Sequence, residues 1–131
     1  MIYADILLLI HIIMMVVLVV LTFSNKLWLL ILNMTCLFSL LVHWYLNLDV
    51  CVLSVIESKL RNIPISSTIF NKIVKPIYNI SERTYSNIMW TMTILLFNIT
   101  LYKIFTHKNM HIILNNKLNI KQVIQLIFEF K

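Results

Sequence analysis

The chain has 131 residues, 60% of them hydrophobic and 12% charged, with a mean hydropathy of +0.89 and a formal charge of +6. Soluble domains hold about 45–50% apolar and about 25% charged residues, so the composition argues against an aqueous globular domain and for a single bilayer-embedded one. The basic residues sit in the connecting segments, as phospholipid on both sides favours, which counts against nucleic acid. Two cysteines, Cys36 and Cys51, imply no disulfide framework.

Glycine is absent and Ala4 is the only alanine, where an average chain of this length would hold roughly nine glycines. The replacements, chiefly Ile, Asn, Lys, Phe and Tyr, are what AT-rich codons specify. This is a genome fingerprint of an organelle, a large DNA virus, or an AT-rich parasite or bacterium. It also removes the Gly-x-x-x-Gly route to close helix pairing, leaving large side chains and Ser, Thr and Asn to pack the helices.

In chain order, "ILLLIHIIMMVVLVVLTF" (6–23) is the first expected span, about 27 Å of helix against a hydrocarbon core of roughly 30 Å. No basic residue precedes it and no small-x-small site follows, so it is expected to be a retained helix rather than a signal peptide. A polar turn, "SNK", leads into the second span, "LWLLILNMTCLFSLLVHWYL" (27–46). Trp28 near one end and Trp44 and Tyr45 near the other form the aromatic belts. "VCVLSVIESKL", within the stretch 50–61, places Val52, Val55, Ile56 and Leu60 on one helical stripe, too short to cross and fit for an interfacial or partly inserted helix. Pro64 and Pro76 break the following segment, and Ser81 or Thr84 offers a cap for the next element.

The third span is expected over 88–105, with Trp90 and Tyr102 at its borders and Lys103 able to reach the head groups. "THKNMHIILNNK" then leaves the bilayer. The tail, 118–130, gathers Ile120, Val123, Ile124, Ile127 and Phe128 on one face as an amphipathic surface helix. The expected fold is thus all-α: three transmembrane helices, a short interfacial helix and an amphipathic C-terminal helix. Lys59, Arg61, Lys72, Lys75 and Arg83 lie on one side. Lys26, Lys103, Lys108, Lys117, Lys121 and Lys131 lie on the other, so five against six barely sets the orientation. The compactness of the first group leans it, with the N-terminus, inside.

Four polar groups fall within the spans: His11, Asn33, His43 and Asn98. Such residues are expensive to insert and are functional candidates by default, but a neutral His or Asn bonding across a helix pair explains them first. His11, His43, Cys51 and Glu57 are zinc-ligand types without a zinc spacing, and His107 and His111 lack further ligands. No phosphate loop, nucleophile elbow or carboxylate pair occurs in the spans, so neither an enzyme nor a cofactor is expected. The sequon at Asn79 is usable only if the middle segment is lumenal; those at Asn33 and Asn98 lie within spans.

"CVLSVIESKLR" (51–61) resembles the Cys-Pro-Leu-Thr-x-x-Glu-x-x-Leu-Arg motif of an uncharacterised family of small bacterial membrane proteins, the family of unknown function numbered 2784. Cys51, Leu53, Glu57, Leu60 and Arg61 match, Ser54 stands for Thr, and Val52 replaces the Pro. The opening "ADILLLIHIIMMVV" and the later "KPIYNISERTYSNIMWTM" are similar to that family's elements in the same order. Small membrane proteins of large DNA viruses also look similar around His-Trp and the Cys-x-Leu motif. The resemblance implies a small membrane protein and carries no activity.

Physically the motif reads as a clasp. Glu57 and Arg61 are i, i+4, in the favourable order for an ion pair, and Arg61 can also reach lipid phosphate. Ser54 can cap locally, Cys51 packs as a small apolar group, and His43 and Trp44 come within reach of Glu57 if the short helix folds back. The expected role is a structural or assembly component of a membrane complex, with lipid and other membrane subunits as partners. A lipid- or small-ligand-binding protein using His43, Trp44, Cys51, Glu57 and Arg61 is the alternative. A membrane enzyme or transporter would need partner subunits to complete a site.

Overall fold

A computed structural model describes residues 2–65, 82–116 and 118–128, the side chains of Glu82 and Tyr85 excepted. The described residues are all-helical: α1 (Ile2–Thr22), α2 (Leu27–Leu46), α3 (Val52–Arg61), α4 (Glu82–Thr106), α5 (Lys108–Asn115) and α6 (Ile120–Phe128). α1, α2 and α4 are long and apolar enough to cross a membrane. Pro76, the Asn79 sequon, Ser81, Lys117 and residues 129–131 lie outside the described residues.

Without glycine, the helix ends fall to other residues. α3 closes on Asn62, whose φ of 53° is left-handed; its N–H reaches the Lys59 carbonyl and that of Ile63 the Ser58 carbonyl. That is a Schellman motif with Asn in the usual glycine position. α2 ends less easily. Leu48 and Asp49 are both left-handed, with φ of 50° and 66°, held by bonds from Asp49 N–H to the Trp44 carbonyl and from Val50 N–H to that of Asn47.

α4 begins at Glu82, so a polar first turn precedes the apolar stretch expected over 88–105 in one continuous helix. Thr84 therefore lies inside the helix and does not cap it. The stretch after α4 is not a plain connection. His107 caps α5, its Nδ1 accepting from Asn109 N–H at 3.2 Å, and Met110 and Ile113 pack on the core cluster of Leu27, Leu30 and Ile104. α6 starts with a reciprocal capping pair in which Asn119 Oδ1 accepts from Gln122 N–H and Gln122 Oε1 from Asn119 N–H. Its end returns to α2, where Phe128 stacks on Trp28 with ring centroids 6.4 Å apart.

α2 lies between α1 and α4, and α3 folds back on α1. α1 offers its neighbours a narrow seam, Ala4, His11, Leu18 and Thr22, spaced by seven, seven and four residues. Its other faces, including Ile6, Leu9, Ile13, Val16 and Val20, are exposed. Among the described residues the buried side chains divide evenly. Seven are apolar and seven are polar or charged: His11, Thr22, Asn33, Glu57, Ser58, Thr93 and Thr100. A water-soluble core has the opposite bias.

Candidate functional site

The polar groups gather at two levels of the bundle. Near the α1–α2 turn, Asn33 is fully buried between Thr22 of α1 and Thr100 of α4. An amide with its nitrogen toward the two hydroxyls would face its oxygen onto the Leu18 carbonyl. The reversed amide satisfies every atom. Its nitrogen then donates to the Leu18 carbonyl at 3.2 Å, and its oxygen accepts from the hydroxyls of Thr22 (2.9 Å) and Thr100 (3.2 Å) and from Thr22 N–H (3.3 Å). One side chain thus ties three helices.

Below this knot, Lys103 Nζ donates to the Ser24 carbonyl at 2.6 Å, and His107 Nε2 bonds the Asn25 carbonyl at 3.0 Å. The Lys103 cation suits this position, where carbonyls emerge from a helix end. Lys103 reaches inward to the turn, rather than outward as expected.

The second level surrounds α3, which runs antiparallel along the first turns of α1. Its C-terminal end is tied by Arg61, whose Nε donates to Glu57 Oε1 at 3.0 Å and whose Nη2 donates to Asp5 Oδ1 at 2.6 Å. Glu57 is 2% exposed, and the guanidinium offsets the cost of burying its carboxylate. The Asp5 bond chiefly, with Glu57 adding to it, holds Arg61 above its usual range against a smaller opposing effect of burial.

At the N-terminal end of α3, Cys51 Sγ lies 3.8 Å from His11 Nε2, and His11 is buried. Burial pushes the Cys51 thiol up, but the His11 hydrogen bond and charge, with the backbone amides of Ser54 and Leu53, together outweigh it and leave the thiol below its ordinary value. Cys51 is therefore more than the small apolar packing group expected.

The structure brings Glu57 and Arg61 together and takes His43 elsewhere. His43 Nε2 accepts from Val52 N–H at 3.2 Å, supplying the α3 N-terminus with the cap that Cys51 does not give. Asn47 braces it, its Nδ2 donating to the His43 carbonyl at 2.8 Å and lying 3.1 Å from the ring Nδ1. Trp44 is buried edge-on against Trp90, centroids 5.8 Å apart, and Trp90 Nε1 donates to Asp49 Oδ1 at 2.6 Å. Asn98 is exposed and bonds only within α4, to the Ile94 carbonyl at 2.8 Å. The cross-helix role expected of it belongs to Thr100.

The sequence assigns no role to Asp5, Thr22 or Thr100, yet each carries a signal. Asp5 is the only acidic residue of α1. Thr22 shares the α1 seam with Ala4, His11 and Leu18. Thr100 was visible only as the third residue of the Asn98 sequon.

Among the described residues no group of three or more His, Cys, Asp or Glu is placed to hold a metal ion. The arrangement holds two kinds of chemistry: charges that satisfy one another, and one thiol beside an imidazole. No family model, curated protein or solved structure matches the chain.

Proposed function

We propose that this is an integral membrane protein crossing the bilayer three times and serving as a structural or assembly subunit of a membrane complex. The observation that carries it is the inverted burial: among the described residues half of the buried side chains are polar or charged, while Ile6, Leu9, Ile13, Val16 and Val20 of α1 and Ile88, Ile94, Leu95 and Phe105 of α4 face outward. In water such a surface would aggregate. In a bilayer it meets lipid or neighbouring helices, and the inward polar groups are paired as the medium requires. The narrow α1 seam leaves most of that helix for partner subunits. Trp28 and Tyr102 mark one membrane border, and Trp44, Tyr45 and Trp90 the other.

The polar pairs then act as internal ties. Arg61 is bonded to two carboxylates, which weighs against its use as a lipid-phosphate or small-ligand site. The composition and the motif of residues 51–61 fit a viral inner membrane, an organellar membrane or a bacterial-type inner membrane.

The test is purification of the tagged full chain from its native membrane in mild detergent, with cross-linking and mass spectrometry. Resistance of the membrane-bound chain to alkaline carbonate supports the spanning reading. A stoichiometric partner set cross-linked through α1 supports the subunit reading; recovery of the chain alone or as a homo-oligomer overturns it.

A further inference from the structure

The clasp leaves one group unexplained by a structural role: the thiol of Cys51 against a buried imidazole. A thiol used only to fill space needs no such neighbour. The pair has the geometry of a nucleophile with its base, Sγ to Nε2 at 3.8 Å. Cys51 is half-buried rather than sealed, and the next side chain, Val52, is 39% exposed. Val52 opens an apolar stripe that continues through Ile56 and Leu60, and Leu48 protrudes just before the cysteine. The exposed surface next to the cysteine in the chain is thus apolar.

The sequence order fits the same chemistry. Cys51 stands between the end of α2 and the amphipathic α3, and bilayer-border cysteines beside such helices are acceptors of fatty acyl groups. The other cysteine, Cys36, is exposed within α2, and both thiols are free. No resolving thiol or third metal ligand joins Cys51 among the described residues.

We propose that Cys51 is an S-acylation site, with His11 as its base and a long-chain acyl thioester as its substrate. The inference rests on the membrane reading above. The Cys51 sulfur attacks the thioester carbonyl while His11 takes the thiol proton. The new bond joins Cys51 sulfur to the acyl carbon, the original carbon–sulfur bond breaks, and the departing thiolate receives the proton. No electrons are exchanged with an oxidant. The product sets an acyl chain beside the α3 stripe and fastens that short helix to the bilayer.

The experiment uses the full chain in phospholipid vesicles with hexadecanoyl-coenzyme A, reading the hydroxylamine-labile mass increment by peptide. The expected result is one acyl group on Cys51, formed at least about tenfold faster than on Cys36. C36S leaves it unchanged, C51S abolishes it, and H11Q slows it by about tenfold or more. The wild-type rate also levels off at a lower pH than the H11Q rate, since His11 favours the thiolate. Equal labelling of the two cysteines in the wild-type chain overturns the proposal, and that comparison needs no variant to fold. An H11Q variant with wild-type melting and an unchanged rate overturns the role of His11. Carbonate extraction of the unreacted chain tests the membrane reading separately, so the two failures are distinct.

Discussion

The two polar levels of the bundle solve one problem by different means. At the level of Asn33, Thr22 and Thr100 every group is neutral, buried and within the three long helices. At the level of α3 the groups are charged: Arg61 bridges Glu57 on its own helix and Asp5 on another. Neutral groups forfeit little when a partner goes, because each hydroxyl has a fallback on its own helix. A charge loses more when its counter-charge goes, because a buried ion depends on that charge far more than a hydroxyl depends on one hydrogen bond. The difference teaches where the fold is brittle, and it orders the effects of substitution.

The brittle end comes first. Arg61→Leu leaves Glu57, at 2% exposure, without its cation and releases Asp5, and removing one partner of a buried pair is strongly destabilising. We expect the largest fall in melting temperature of any variant here, measured by intrinsic Trp fluorescence in vesicles or detergent. Reversing the pair sharpens the test. E57R/R61E restores the i, i+4 pair but sets a carboxylate against Asp5, so it should remain unstable; adding D5K should recover most of the loss. Full rescue by the double variant alone would remove Asp5 from the clasp.

At the neutral level the expected loss is smaller. Asn33→Leu removes the amide, but the Thr22 and Thr100 hydroxyls still reach the carbonyls of Leu18 and Leu96, at 3.0 and 2.8 Å. Interhelical hydrogen bonds in membranes average about 0.6 kcal/mol and reach about 1.7, so a loss of about 1–2 kcal/mol is expected for the whole knot. Reversible unfolding in mixed micelles measures it. A loss well beyond that of Arg61→Leu would reverse the comparison.

The long helices were legible because an apolar run needs no tertiary information to be helical and long enough to span. The Glu57–Arg61 pair was legible for the same local reason, since i, i+4 geometry is fixed by the helix itself. What was not legible depended on how α3 lies. Folding back antiparallel to α1 puts Arg61 at Asp5 and Cys51 at His11; no spacing within "CVLSVIESKLR" encodes that choice. It also takes His43 from Glu57 and makes it the cap of α3. α5 was hidden by composition: its polar residues suggested a connection, while Met110 and Ile113 were already spaced to cover Leu27 and Leu30.

The turn between α2 and α3 offers a gain rather than a loss. Leu48 is 87% exposed and left-handed, so its side chain contributes little packing while its backbone costs roughly 1–2 kcal/mol. Leu48→Gly should relieve that strain, offset in part by the greater freedom of glycine in the unfolded chain. A net stabilisation of about 1 kcal/mol is expected from the same unfolding measurement. Destabilisation instead would show that Leu48 is held by contacts outside the chain, in lipid or a partner.

The smallest effect tests the comparison most directly, because it sets like against like. Asn33 and Asn98 both lie in long apolar helices, and each begins an Asn-x-Thr triplet. Asn33 is fully buried among three helices, whereas Asn98 faces outward and bonds the Ile94 carbonyl of its own helix. Within α4 the position two residues on, Thr100, is the one turned to Asn33. Asn98→Leu should therefore change stability by no more than about 0.5 kcal/mol, against the larger loss for Asn33→Leu. Equal losses would mean that Asn98 also crosses to another helix, one supplied by a partner subunit, and the outer face of α4 would then be an interface rather than a lipid surface.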